Sequence, residues 1–217
     1  MMSKTAIILG ATGLTGSMLL QQLLDDDSIS TIKLFSRSSS NIKSPKVEEY
    51  LIDMFQLEKE TERFTGDVVF CCIGTTKSKT PDKETYKKID YGIPVAAAKL
   101  AKQNSIKKFV VISALGSNPD SSVFYNKVKG EMERDVLQQN ISETYILQPS
   151  LIGGDRNENR TGESIAQFFA KTFSFLIPKK YKMIEPETIA KAMQNLLYKP
   201  YAKTRIPSDE IKKIATV

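Results

Sequence analysis

The sequence predicts an α/β fold built on a doubly wound parallel sheet, and three observations predict it. Short, uninterrupted apolar runs recur at Thr5–Leu9, Val68–Ile73 and Lys108–Ser113, as strands buried on both faces require. Segments with apolar residues at helical spacing lie between them. This alternation runs from residue 5 to about 150, the pattern of parallel strands joined by helical crossovers.

Taken in order, Thr5–Leu9 is the first predicted strand, followed by a glycine-rich turn and a helix through Leu24. Ile32–Ser36 predicts a second strand and Val47–Ile52 a weaker third. Val68–Ile73 predicts a fourth, ended by Gly74, and Ala and Leu at helical spacing mark Val95–Lys102. Lys108–Ser113 is the fifth predicted strand. Phe124–Gln139 predicts a helix with Tyr125, Val128, Met132 and Val136 in one stripe. Thr144–Leu147 predicts a sixth strand stopped by Pro149, and Glu187–Tyr198 a helix between Pro186 and Pro200.

There is no internal repeat and no linker, so residues 1–217 read as one domain. Residues 150–185 form a small C-terminal substrate-side insertion or lid. Within it, Gly153–Glu163 is polar. Arg156 and Arg160 there either meet an anionic substrate or the cofactor phosphates, or are surface arginines. Phe168, Phe169, Phe173 and Phe175, with Leu176 and Ile177, suit core packing of a helix, with an apolar lid or a subunit contact as alternatives. The charged tail from Lys203 is expected to end in a short packed helix.

Composition excludes several chemistries. Histidine is absent, which removes Ser-His-Asp and Cys-His catalysis and the commonest metal ligand. Cys71 and Cys72 are adjacent in a predicted strand and point to opposite faces, so they read as packing residues in a reducing compartment. No apolar run reaches the roughly 18–20 residues of a membrane span, and no secretory signal opens the chain. These features predict a cytoplasmic protein. The net charge of +6 comes without a basic–aromatic run or zinc-finger spacing, so nucleic acid is not an expected partner. A basic surface also suits an anionic cofactor. Monomer and homodimer stay open.

Ligands of doubly wound sheets bind beyond the carboxyl ends of the strands, here after Leu9, Ser36, Ile73, Ser113 and Leu147. Immediately after Leu9 stands Gly10-Ala-Thr12-Gly13-Leu14-Thr15-Gly16. Between a strand and a helix, such glycines allow a tight turn, a close backbone approach to a pyrophosphate, and close helix–strand packing. The helix N-terminus then offers N–H groups to the phosphates. At the end of the second strand an NAD site usually carries a carboxylate. This chain carries Ser36-Arg37-Ser38 instead. Arg37 suits a 2′-phosphate, with the serine hydroxyls assisting, and NADP(H) is therefore expected over NAD(H). A solvated loop arginine is the competing reading. Asp53, after the third strand, either accepts from the adenine amino group or is a surface residue. Cys72 and Gly74, after the fourth, complete the expected cofactor contacts.

Ser113 ends the fifth strand, and Tyr125 and Lys129 open the following helix. Residues i and i+4 share a helix face. A free tyrosine titrates near pH ~10, and a nearby ammonium favours its phenolate. Tyr125 can then exchange a proton with a substrate oxygen, which a serine hydroxyl holds.

In order and spacing these motifs resemble the short-chain dehydrogenase/reductases, over roughly residues 4–199. The chain looks closest to the atypical branch that includes the Tat-interacting protein oxidoreductases, through Cys71–Thr76, Phe124–Glu131, Leu147–Ser150 and Asp155-Arg156. The resemblance implies that Tyr125 is the catalytic acid/base, that Lys129 also binds the nicotinamide ribose, and that Ser113 orients the substrate. It departs from the family in two places. The relay asparagine of the fourth helix has Asp90 as its nearest counterpart. Ala114 follows Ser113, where the family often has a second serine, leaving Ser117 as a substitute.

The expected activity is hydride transfer between NADP(H) and a small carbonyl or alcohol. The alternatives are an NADP(H)-binding regulatory or interaction protein, and an epimerase or dehydratase with retained cofactor.

Overall fold

The computed structural model describes residues 3–153 and 178–216. Its strands are β1 (Lys4–Leu9), β2 (Ile29–Ser36), β3 (Val47–Leu51), β4 (Val68–Cys71), β5 (Lys108–Ile112), β6 (Glu143–Gln148) and β7 (Arg205–Pro207). They form one sheet in the order β3-β2-β1-β4-β5-β6-β7, with every neighbouring pair parallel. The helices are α1 (Leu14–Leu24), α2 (Lys83–Lys87), α3 (Ile93–Gln103), α4 (Phe124–Leu137), α5 (Pro186–Tyr198) and α6 (Ser208–Ala215). A 3₁₀ stretch, Met54–Glu60, follows β3, and a π-helical turn, Lys88–Gly92, joins α2 to α3.

Side chains alternate across each strand, and both faces are apolar. Ala6 and Ile8 of β1 pack with Leu19, Leu23, Met193 and Leu196 of α1 and α5. Ile7 and Leu9 pack on the opposite face with Ala97, Leu100, Met132 and Val136 of α3 and α4. Strand order reverses between β1 and β4, which puts the crevice of a doubly wound sheet there.

The predicted elements form with boundaries shifted by a few residues. The fourth strand stops at Cys71, and the fourth helix at Leu137 rather than Gln139. The expected stripe on α4 is only partly apolar: Val128, Met132 and Val136 are buried, whereas Tyr125 is 40% exposed. The tail does form the expected helix, but it first adds β7, whose pattern is invisible in sequence. Only Ile206 is fully buried there, between Arg205 and the strand-ending Pro207, as on a short edge strand. The ends of the 150–185 region meet where Gly153 N–H donates to the Ile184 carbonyl (2.9 Å) and Ile184 N–H to the Leu151 carbonyl (3.0 Å). Arg156, Arg160 and the Phe168–Ile177 run lie outside the described residues.

Polar staples tie helix ends to distant segments of the chain. Buried Lys108 donates to the Leu196 and Leu197 carbonyls at 2.9 and 3.0 Å, filling acceptors that the end of α5 leaves open. Lys46 does the same at α1, through the Leu24 and Asp26 carbonyls. The Asp26 carboxylate accepts from Tyr198 (2.6 Å), Gln194 (2.9 Å) and both the hydroxyl and N–H of Ser28. Burial pushes its carboxyl up, but these hydrogen bonds outweigh burial and hold it below the ordinary value of 3.8. A depressed carboxyl contributes stability above its unfolded value, and that contribution is lost as pH falls through the lower folded value.

Asp26→Ala is therefore expected to cost about 1–2 kcal/mol at neutral pH in denaturant unfolding monitored by circular dichroism. The difference from wild type should narrow as the pH drops below 3.8. A gap that does not change with pH would contradict the assignment.

Candidate active site

Gly10 leaves β1 with φ +85°, in the left-handed region that favours glycine, and a Cβ on it would lie 2.9 Å from the Cys72 carbonyl oxygen. Gly13 N–H closes the turn onto the Gly10 carbonyl at 3.0 Å. A Cβ on Gly16 would sit 2.1 Å from that same oxygen, so helix and loop can pack this closely only with glycine there. Gly13 caps α1 without a side-chain hydrogen bond, and the first turn holds no acidic residue. Its N–H groups are thus left for an anion. Thr12 and Gly13 are exposed, Leu14 is partly buried, and Thr15 is 7% exposed. This cradle fits a dinucleotide pyrophosphate.

The turn after β2 lies next to this loop. Ser36 is buried and its hydroxyl donates to the Ser38 carbonyl (2.9 Å), while Arg37 and Ser38 are exposed. Glu49 of β3 pins the turn by accepting from the Ser39 hydroxyl (2.6 Å) and Ser40 N–H (2.7 Å). Burial pushes the Glu49 carboxyl up, but the two serines hold it below the ordinary range. A cavity of about 290 Å³ separates glycine loop and turn, lined by Ala11, Thr12, Ser17, Gln21, Ser39 and Ser40. Asp53 is exposed, and both its oxygens are engaged, by Phe55 N–H (3.0 Å) and the Gln56 amide (2.8 Å). It caps the 3₁₀ stretch.

Across the switch point, Cys72 N–H donates to the Leu9 carbonyl (2.9 Å), tying the end of β4 to β1. Gly74 follows, exposed, and a Cβ there would be 3.7 Å from Asp90 Oδ1 and 3.9 Å from Lys129 Nζ. Beneath it lies an ion pair. Lys129 Nζ is 2.9 Å from Asp90 Oδ1, with side chains 4% and 1% exposed. Asp90 Oδ2 accepts from Thr75 N–H at 2.8 Å. The π-helical turn carries Asp90 into this position, and such bulges recur at functional sites. Burial alone would lower the Lys129 ammonium, but the charges of Asp90 and then Tyr125 raise it above its ordinary value. Tyr125, one turn earlier on α4, is therefore close enough for its charge to act on Lys129. The thiol of Cys71 nearby is pushed up to about 11, by burial foremost, which suits packing rather than nucleophilic chemistry.

Ser113 is 4% exposed, and its hydroxyl donates to Glu133 Oε1 at 2.6 Å. Glu133 is buried on α4 and also accepts from Gln148 Nε2 (2.8 Å) and Arg205 Nε (2.7 Å). Three donors on one carboxylate leave Ser113 without a hydrogen to lend. Ser117 lies 3.0 Å from Ser113 Oγ and 2.7 Å from the Ala114 carbonyl, and its single hydrogen can turn to either.

The fold thus brings Ser113, Tyr125, Lys129 and the departing Asp90 to one edge, beside the glycine loop. Sequence reasoning missed Glu133, Gln148 and Arg205. Glu133 stands one turn after Lys129 in a charged stretch, indistinguishable there from a surface residue, and its partners come from two later strands.

Residues 10–174 match the protein family described as NAD(P)H-binding. Among relatives, Protein FMP52, mitochondrial, of Candida albicans is 36% identical over 171 residues, covering 75% of this chain and 74% of that protein. Protein HTATIP2 of rat is 31% identical over 204 residues, covering 92% and 84%. Of solved structures, the Thermotoga maritima UDP-glucose 4-epimerase with UDP-glucose superposes with a TM-score of 0.68 at 13% identity, over 98% of this chain and 81% of that one. MoeE5 in complex with UDP-glucose and NAD gives 0.67 at 13% identity, over the same shares. These two show the fold. The expected cytoplasmic location is corrected by the fungal relatives, which are named mitochondrial. Buried packing cysteines and the lack of a long apolar run describe how a domain folds, not the compartment that holds it. Among the described residues no helix is long and apolar enough to cross a membrane. With a glycine cradle at the sheet's reversal, a Ser–Tyr–Lys cluster beside it and relatives of this similarity, the chain belongs to the NAD(P)H-binding family of Rossmann-fold, oxidoreductase-like proteins.

Proposed function

We propose that this protein is an NADP(H)-dependent oxidoreductase acting on a small carbonyl or alcohol, with Tyr125 as the acid/base. The observation that carries this reading is the placement of Lys129. It is buried against Asp90, directly below Gly74 and within charge range of Tyr125. The bound nicotinamide supplies or receives the hydride. Around it, the loop Gly10–Gly16 holds the pyrophosphate on the N–H groups of α1. Arg37, exposed in the turn whose Ser39 and Ser40 line the 290 Å³ cavity, meets the 2′-phosphate. Asp53 and Cys72 flank the adenine and the crevice. Lys129 keeps the phenol and the nicotinamide ribose in register. Ser117, whose hydrogen rests on the Ala114 carbonyl, would turn it to a substrate oxygen, whereas Ser113, donating to the Glu133 carboxylate, faces the substrate as an acceptor.

Arg37→Ala is expected to weaken NADPH by at least about tenfold while leaving NADH nearly unchanged, measured by calorimetric titration of both cofactors. Equal losses would remove the 2′-phosphate role. Tyr125→Phe should cut turnover of a carbonyl substrate by about 10²-fold or more with cofactor affinity retained, and an active variant would refute the acid/base assignment. Ser117→Ala is expected to lower kcat by more than about tenfold without moving cofactor affinity. An unchanged kcat would place donation elsewhere.

A further inference from the structure

Glu133 limits what Ser113 can recognise. The Ser113 hydroxyl lies 2.6 Å from Glu133 Oε1. An ionised carboxylate only accepts, so the one hydrogen of Ser113 points there. Arg205 Nε stands 2.7 Å from the other oxygen as its counter-charge, and Gln148 Nε2 donates to Oε1 at 2.8 Å. Turning the Ser113 hydrogen to a neutral carbonyl would exchange a charge-assisted bond for one about half as strong. What Ser113 offers a substrate is therefore its lone pairs. We infer that Ser113, held as an acceptor by Glu133, reads a hydroxyl on the carbon next to the reacting carbonyl, so that the substrates are α-hydroxycarbonyl compounds and the corresponding vicinal diols. The inference rests on the reading of Tyr125 as the acid/base and names the substrate class of that same site.

The reacting oxygen cannot itself be the group that Ser113 reads. As a carbonyl it has no hydrogen, and as an alcohol its one hydrogen must pass to Tyr125. A second polar hydrogen on the substrate is therefore required. Its place follows from the two serines. Ser113 Oγ and Ser117 Oγ lie 3.0 Å apart, a spacing that suits oxygens on adjacent carbons. When Ser117 turns its hydrogen from the Ala114 carbonyl to the reacting oxygen, the hydroxyl on the next carbon falls to Ser113. Among the described residues, Glu133 and Ser117 are the side-chain partners of Ser113, so no other group fills its lone pairs. Its backbone is fixed as well, because its N–H donates to the Leu147 carbonyl at 2.7 Å. With only 4% of Ser113 exposed, a substrate carrying a methyl group in that place would shut these lone pairs away from water unpaired, which weakens binding.

The hydroxyl takes no part in the bond changes. In the reducing direction the carbonyl carbon gains the hydride, its π bond opens onto oxygen, and that oxygen takes the proton from the Tyr125 O–H bond. The neighbouring hydroxyl keeps its hydrogen, donated to Ser113 throughout, and the product is a vicinal diol. Oxidation of the diol reverses each step through the same contacts. Glu133 touches neither substrate nor cofactor in this scheme and acts as a positioning residue, whereas Ser113 determines specificity.

The test reads binding, not turnover. Hydroxyacetone and acetone are titrated into the protein saturated with NADP⁺, where neither ketone can be reduced, and their dissociation constants are taken from ligand-observed NMR. Hydroxyacetone is expected to bind wild type about fivefold more tightly than acetone, or better, the contribution of one hydrogen bond. In Ser113→Ala that preference should vanish, because hydroxyacetone weakens and acetone does not. In Glu133→Gln the side-chain amide can turn an N–H toward Ser113 and free its hydrogen, so the preference should shrink with acetone binding retained. A glutamate that merely supports the fold would weaken both ketones alike. Wild type that binds the two equally, or binds neither, overturns the inference whether or not a variant folds. So does a Ser113→Ala protein that keeps the preference. A failure of the oxidoreductase reading is seen separately, as full turnover by Tyr125→Phe.

Discussion

The reversal of strand order between β1 and β4 is the constraint on which the rest of this molecule depends. The chain builds β1, β2 and β3 outward to one side, then returns to lay β4 on the other side of β1. At that return the carboxyl ends of two strands must pass each other with no side chain between them. Gly10 accepts this by turning to φ +85° against the Cys72 carbonyl, and Gly16 by bringing α1 down onto the Gly10 carbonyl. A methyl group at either position collides with backbone, which cannot move aside as a side chain can. The space kept clear is the space a dinucleotide needs, and the N–H groups of α1 face it because Gly13 offers no cap of its own.

The other side of the crevice is governed by buried charge. Two carboxylates, Asp90 and Glu133, lie in an interior where an unpaired ion would be very costly. Each stands against a cation and at least one neutral donor. Asp90 takes the Lys129 ammonium and Thr75 N–H, and Glu133 takes Ser113, Gln148 and Arg205. These acids hold the polar cluster from beneath and behind. One fixes where the lysine stands, and the other fixes where the serine hydrogen points. Both are reached from distant parts of the chain, so the active edge is coupled to the C-terminal strand through Arg205 as well as to the N-terminal crevice through Gly74.

The same dependence on distant segments holds for the helices. The end of α5 is filled by Lys108 from β5, the end of α1 by Lys46 from the turn before β3, and Asp26 is gripped by Tyr198 and Gln194 from α5. In sequence these residues are unremarkable surface lysines and an acidic cluster. Their roles exist only because the sheet brings together segments far apart in the chain, among them Asp26 with Gln194 and Tyr198.

The sequence by itself determined the layered parallel sheet, since apolar runs at Thr5–Leu9, Val68–Ile73 and Lys108–Ser113 leave a strand no face for water. It also determined the glycine cradle and the Tyr125–Lys129 pair, because both are local: a turn and one helical turn need no information from elsewhere. Asp90 was visible as a candidate but not as an ion-pair partner of Lys129, for nothing in the local pattern announces the π-helical turn that carries it inward. The three-residue β7, the Glu133–Arg205 contact and the hydrogen-bond partners of Ser113 and Ser117 were decided only by tertiary structure. Each depends on which of several chemically equivalent donors and acceptors ends within about 3 Å of another, a distance that sequence spacing does not encode.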